Sequence, residues 1–149
     1  MVIPKIYSAF IKDTTLEDIR LISVDSAFGR EPEEGKSYNI NLKAKFPFKK
    51  DESDLFVFPS YNVYFEDDEP KDAGIIKFKC VFSLHYKVKN ILDYQDDIIK
   101  AFADNNAKFN SWSYFRELFS SVTMRMGIGP LVVPLLKPAP PERLVSAKR

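Results

Sequence analysis

A chain of 149 residues, 45% hydrophobic and 29% charged, has the size and make-up of one globular domain with a real core. Its net charge of +1 gives no global attraction to nucleic acid or to an anionic membrane, and no uncharged apolar run approaches the roughly 18 residues that span a bilayer. The single Cys80 excludes an intramolecular disulfide, and MVIPKIYSAF lacks the apolar core of a signal peptide, so a cytoplasmic protein is expected.

Residues 1–17 read as an N-terminal extension. Asp18 to Phe28 follows as a strand of weak patterning, with Ile22, Val24 and Phe28 in phase. In Ser37 to Phe48 the even positions Tyr38, Ile40, Leu42, Ala44, Phe46 and Phe48 are apolar and alternate with Asn39, Asn41, Lys43 and Lys45, a half-buried strand with Pro47 near its end. Leu55 to Phe65, LFVFPSYNVYF, is apolar on both faces and is expected to bend or bulge at Pro59. Ile76 to Val88 has the strongest alternation. Ile76, Phe78, Cys80, Phe82, Leu84, Tyr86 and Val88 fall on one side, and lysines, Ser83 and His85 mostly fall on the other. GREPEEGK, KKDESD and EDDEPKDAG join consecutive strands as short polar connections, so the simplest arrangement is a four-stranded antiparallel meander.

Helices come next. Tyr94, Ile98, Ile99 and Phe102 are spaced for a helix over Asp93 to Ala107, with Asp93, Asp96 and Asp97 in its first turn and Asn105 and Asn106 ending it. A second helix starts after Ser111 as N-cap. Its narrow stripe of Trp112, Phe115, Phe119, Val122 and Met126 suits packing on a sheet or an oligomer interface. Gly127 is placed to terminate it in a left-handed cap, and Pro130 and Pro134 forbid a regular helix through the apolar strip that follows. Residues 139–149 form a basic, Pro-rich tail. Strands followed by helices define an α+β fold with helices on one face of the sheet and a polar face opposite.

Catalytic signatures are missing. There is no nucleophile elbow, P-loop, metal-ligand cluster or dinucleotide fingerprint, so neither enzyme activity nor a cofactor is expected. His85 lies on the polar phase of its strand, and Cys80 lies on the apolar phase as a buried thiol. Glu66, Asp67, Asp68 and Glu69 read as a solvated hairpin tip. Lys43, Lys45, Lys77, Lys79, Lys87 and Lys89 share the polar phase, where they solubilise the face and protect it from edge pairing, or receive an acidic partner or a nucleic-acid backbone; no exposed aromatics interleave with them, as single-strand binding would want.

Four strands, then a helix carrying Arg116 and Glu117, a basic Arg125, a glycine and the apolar PLVVP segment resemble the SecB family of export chaperones from about Asp18 to Pro138. The resemblance implies a homotetramer, a dimer of dimers, with sheets outside and helices at the central interface. It also implies ATP-independent holding of unfolded polypeptide in apolar grooves during protein export and translocation. Candidate client-binding residues are Phe46, Phe48, Phe56, Phe58, Tyr61, Tyr64, Leu131 and Val132, and Glu66 to Glu69 are the candidate docking residues for a translocase ATPase. The Lys-rich sheet face and the Pro-rich tail depart from the family pattern. They leave open a chaperone dedicated to a toxin–antitoxin pair, with an antitoxin as partner, or a structural adaptor that forms the oligomer without holding clients. A hot-dog thioesterase would need an acid/base pair beside the helix, and none is present.

Overall fold

The computed structural model describes residues 4–33, 35, 40–65 and 75–128. Helix α1 (Lys5–Asp13) leads into strand β1 (Thr14–Phe28), followed by β2 (Ile40–Lys45), β3 (Phe48–Asp51), β4 (Asp54–Val57), β5 (Ser60–Phe65) and β6 (Ile76–Val88). A single 3-10 turn precedes helix α2 (Asp96–Phe102), a π-helical turn over Ala103–Ala107, and helix α3 (Lys108–Arg125). The segment read as an extension is therefore part of the fold: Tyr7 and Phe10 of α1 are fully buried, and β1 begins before Asp18.

Among the described residues the sheet has six antiparallel strands rather than four: Pro59 cuts the expected Leu55–Phe65 strand in two, and beyond Pro47 the segment read as the connection KKDESD forms most of β3. Pro47 separates β2 from β3, and Pro59 separates β4 from β5. Proline has no N–H to give to a ladder and holds its φ near −65°, so a strand cannot continue regularly through it. The two breaks face each other: the Phe58 amide donates to the Pro47 carbonyl at 2.8 Å, and the Phe82 amide donates to the Pro59 carbonyl at 2.9 Å. These two bonds carry hydrogen bonding across both breaks.

β6 is the central strand. It pairs along one edge with β4 and β5 and along the other with β1. The first strand thus lies beside the last, not beside the second, and the meander expected from the connections is corrected to a Greek-key order. Length explains the choice, since only β1 is long enough to pair with all of β6. Its 15 residues meet 13, and the two extra residues fall at bulges between Leu16 and Asp18 and between Leu21 and Ser23.

The alternation of β6 is realised as read: Ile76, Phe78, Cys80, Phe82, Leu84, Tyr86 and Val88 are all buried. Against them lie the rings of α3, with Phe78 and Phe119 edge-on at 5.1 Å and Tyr61 stacked on Phe115 at 4.4 Å. The stripe expected to serve an oligomer interface is therefore packed within the subunit. Phe115 and Phe119 are fully buried, Trp112 nearly so, and Val122 and Met126 rest partly buried against the same core. A sheet supplies a wider apolar partner than one helix can, so a stripe this narrow is satisfied inside the chain.

The two expected helices join end to end. Asn105 and Asn106 do not stop the first, because the π-helical turn absorbs an extra residue and α3 continues from it. Ser111 is consequently not an N-cap but a buried residue in the first turns of α3. Gly127 ends the helix as expected, with φ +77°; its amide donates to Met124 at 3.0 Å, and the Ile128 amide donates to Thr123 at 3.4 Å.

Candidate functional site

The strand break at Pro47 creates an opening. Ala44, Lys45, Phe46, Pro47 and Phe48, at the edge formed by β2 and β3, face Lys100 and Asp104 of the helical segment across a trough of about 580 Å³. Each wall follows from local sequence. Ala44, Phe46 and Phe48 hold the same phase as Leu42 and rest partly buried against the core, which leaves both rings half-exposed toward the trough. Phe46 rests edge-on against the buried Tyr61 at 5.9 Å, which fixes its orientation. On the opposite wall Lys100 Nζ donates to Asp104 Oδ2 at 2.7 Å, an i,i+4 pair that leaves the lysine stem lying along the trough. β2 pairs only with β5 among the described residues, and β3 only with β4, so the trough borders a free strand edge.

The client-binding residues read from sequence divide between two faces. Phe46 and Phe48 line the trough. Tyr61 is fully buried and is removed from the contact set: register places it on the core face, where Phe115 and Ser111 enclose it. Phe56 and Tyr64 lie on the opposite, outward face, Phe56 stacked on the His85 ring at 4.6 Å and Tyr64 beneath the Lys43 ammonium at 5.6 Å. Phe58 is half-buried between the two proline breaks. The expectation that no aromatics interleave with the lysines of this face is corrected, because period two carries Phe56 and Tyr64 outward. Leu131 and Val132, and Glu66, Asp67, Asp68 and Glu69, lie outside the described residues. Sequence reasoning read Lys45 only as part of the polar face and missed Lys100 and Asp104, whose i,i+4 spacing was the available signal.

The outward face holds one cluster of potentially reactive groups. Asp18, Arg20, Phe56, Ser83 and His85 line a depression of about 250 Å³. Asp54 Oδ1 accepts from both His85 Nε2 and Lys87 Nζ, each at 2.8 Å. These bonds, Lys87's first, hold the Asp54 carboxyl below the usual carboxylate range. No hydrogen bond joins Ser83 to His85, and Phe56 covers the imidazole, so the nucleophile–base contact of a hydrolytic site is missing. Among the described residues no group of three His, Cys, Asp or Glu side chains is placed to hold a metal ion, and no helix is long and apolar enough to cross a membrane.

A second apolar surface lies at the opposite edge. Leu16, Leu21, Val24 and Phe28 of β1 stand in register with the core residues Tyr86, Phe82, Cys80 and Ile76, yet remain 37–46% exposed. Ile22, in a bulge, is 55% exposed.

With its Greek-key antiparallel sheet and its helices, this chain has a SecB-like fold. Rv1957, a SecB-like chaperone of Mycobacterium tuberculosis solved in complex with a ChAD peptide from the Rv1956 HigA1 antitoxin, matches with a TM-score of 0.79 and 19% identity over 91% of this chain and 99% of that one. A protein of unknown function from Streptococcus agalactiae matches more distantly, with a TM-score of 0.41 and 12% identity over 82% of this chain and 97% of its own. No family model and no curated protein matches the sequence.

Proposed function

We propose that this chain is a molecular chaperone of the holdase kind, one that binds non-native polypeptide without a nucleotide. The trough of Phe46, Pro47 and Phe48 beside a free strand edge is the observation that supports this most. It offers half-exposed aromatic area worth roughly 25 cal/mol per Å² covered, and unpaired backbone groups that an extended segment can use whatever its sequence. Weak, sequence-tolerant contact at several such sites is what holding a disordered chain requires.

Oligomerisation supplies the several sites. The exposed apolar strip of β1 on an unpaired edge is the surface on which a second copy packs, and a homotetramer built as a dimer of dimers would array the troughs. Delivery of clients to an export translocase in the cytoplasm is the wider reading. A second reading, a chaperone dedicated to an antitoxin, is favoured by the antitoxin peptide bound to the M. tuberculosis protein.

The test is suppression of aggregation of a chemically unfolded reporter protein, followed by light scattering, with the natural chain and with Phe46→Ala/Phe48→Ala. The natural chain should suppress scattering at near-stoichiometric ratios and the variant should lose most of that effect while keeping its oligomeric mass. An oligomer that leaves scattering unchanged would instead be the structural adaptor.

A further inference from the structure

The lysines of the outward sheet face are not spread evenly. Around β1, β6 and β4 they are balanced: Asp18 pairs with Arg20, and Asp54 pairs with Lys87 and His85. At the corner where β2, β5 and β6 meet, register brings Lys43 opposite Asn62 and Asn62 opposite Lys79, with Lys45 opposite Ser60 in the next outward row. Lys77 lies beside them and bonds Asp25 at 2.8 Å; Asp25 also stands opposite Lys79. Among the described residues, four lysines against one aspartate leave this corner at +3, in a chain whose whole net charge is +1.

We propose that this corner docks an acidic, extended polypeptide segment of another protein, held by Lys43, Lys77 and Lys79. The spacing suits it. Lys77 and Lys79 are two residues apart, about 6.8 Å along β6, which is the interval at which an extended chain presents side chains on one side. Lys43 lies two strands across from Lys79, about 10 Å away, within reach of the same segment. The exposed Asn62 between them offers an amide to the segment. A nucleic acid fits the same corner less well. The Tyr64 ring that would stack a base already carries the Lys43 ammonium, and Phe56 is stacked on His85. The sequence pI of 7.7 is also well below that of a typical nucleic-acid-binding domain.

Fluorescence anisotropy with a labelled alternating Glu-Thr peptide, against an alternating Gln-Thr control, tests this. The acidic peptide should bind, the control should not, and binding should weaken steeply as salt is raised. Lys43→Gln/Lys79→Gln, which touches no trough residue, should weaken it about five- to tenfold. Any of three results overturns the proposal: equal binding by that variant, tighter binding of oligothymidylate than of the acidic peptide, or no peptide binding. If Glu66→Gln/Asp67→Asn/Asp68→Asn/Glu69→Gln binds the peptide where the natural chain does not, the chain's own acidic run is the occupant and the external partner is likewise overturned.

Discussion

The hydroxyls of Tyr61 and Ser111 lie 2.7 Å apart inside the core, joining β5 to α3. Ser111 Oγ also reaches the Ala107 carbonyl at 2.9 Å, so the serine proton goes to that carbonyl and Tyr61 donates to the serine oxygen. Two more buried tyrosines are anchored nearby: Tyr86 donates to Asn110 Oδ1 at 2.8 Å, and Tyr7 donates to Asn106 Oδ1. The two strand tyrosines, Tyr61 and Tyr86, thus fix the rotation of α3 against the sheet, a constraint that apolar contacts alone leave loose, and Tyr7 ties α1 to the π-helical turn.

The direction of the Tyr61–Ser111 bond makes its two halves unequal. Ser111→Ala strands a buried tyrosine hydroxyl and should cost about 1–3 kcal/mol, whereas Tyr61→Phe leaves Ser111 bonded to Ala107 and should cost about 0.5–1.5 kcal/mol. The double variant should resemble Tyr61→Phe rather than the sum of the two. Urea denaturation midpoints read this order, and a Tyr61→Phe cost above that of Ser111→Ala would reverse the assigned direction.

Burial of titratable groups sets an alkaline limit on stability. Burial pushes the Tyr7 hydroxyl up from about 10 to about 12 and the Cys80 thiol up from about 9 to about 12, and it raises Tyr61 and Tyr86 as well. A raised folded-state value favours the protonated form. Its stabilisation is complete below the unfolded-state value and is lost as pH climbs toward the folded one. Stability should therefore fall between about pH 9 and 12, with the tyrosinate absorbance of the three buried rings appearing together with unfolding. Cys80 should stay unreactive toward thiol reagents while the chain is folded. Tyrosinate formation by those rings in a chain that remains native would contradict the burial.

Period-two patterning was legible wherever one face is buried and the other wet, which is why β6 and the phase of Phe46 and Phe48 were readable. Strand order was not, because β1 carries no strong alternation; its pairing follows from a length match with β6 that appears only once β6 is known to be central. Ser111 misled because a serine before an apolar stripe has the composition of an N-cap, while its role as a buried hydrogen-bond bridge depends on Tyr61, distant in sequence. The division of the aromatics between two faces needed the register through Pro59, which alternation alone does not fix across a break.

Two backbone positions should respond to substitution in opposite directions. Glu52, in the two-residue turn between β3 and β4, has φ +55°, a left-handed conformation that disfavours a side chain. Glu52→Gly should stabilise by roughly 0.5–1 kcal/mol, net of the extra chain entropy that glycine brings. Gly127 has φ +77° with open space around its missing Cβ, so Gly127→Ala should cost about 1 kcal/mol from the backbone alone, with no clash to relieve. Chemical denaturation of the two variants checks both signs.

The apolar strip on β1 is the proposed subunit seam. Leu21 and Val24 are 46% and 42% exposed, on the helix side of a strand whose outer edge pairs with no described residue. Covering such side chains is worth roughly 1 kcal/mol each, since about half of their area is already buried in the subunit. Leu21→Lys/Val24→Lys removes that gain and places two charges on the seam. The natural chain should sediment as an assembly, and this variant as smaller species with unchanged circular dichroism. It should also hold less unfolded reporter per subunit, because single troughs lack the joint grip of several. A natural chain that sediments as a monomer at high concentration would show that β1 is not a subunit seam, and the trough would then have to hold its clients alone.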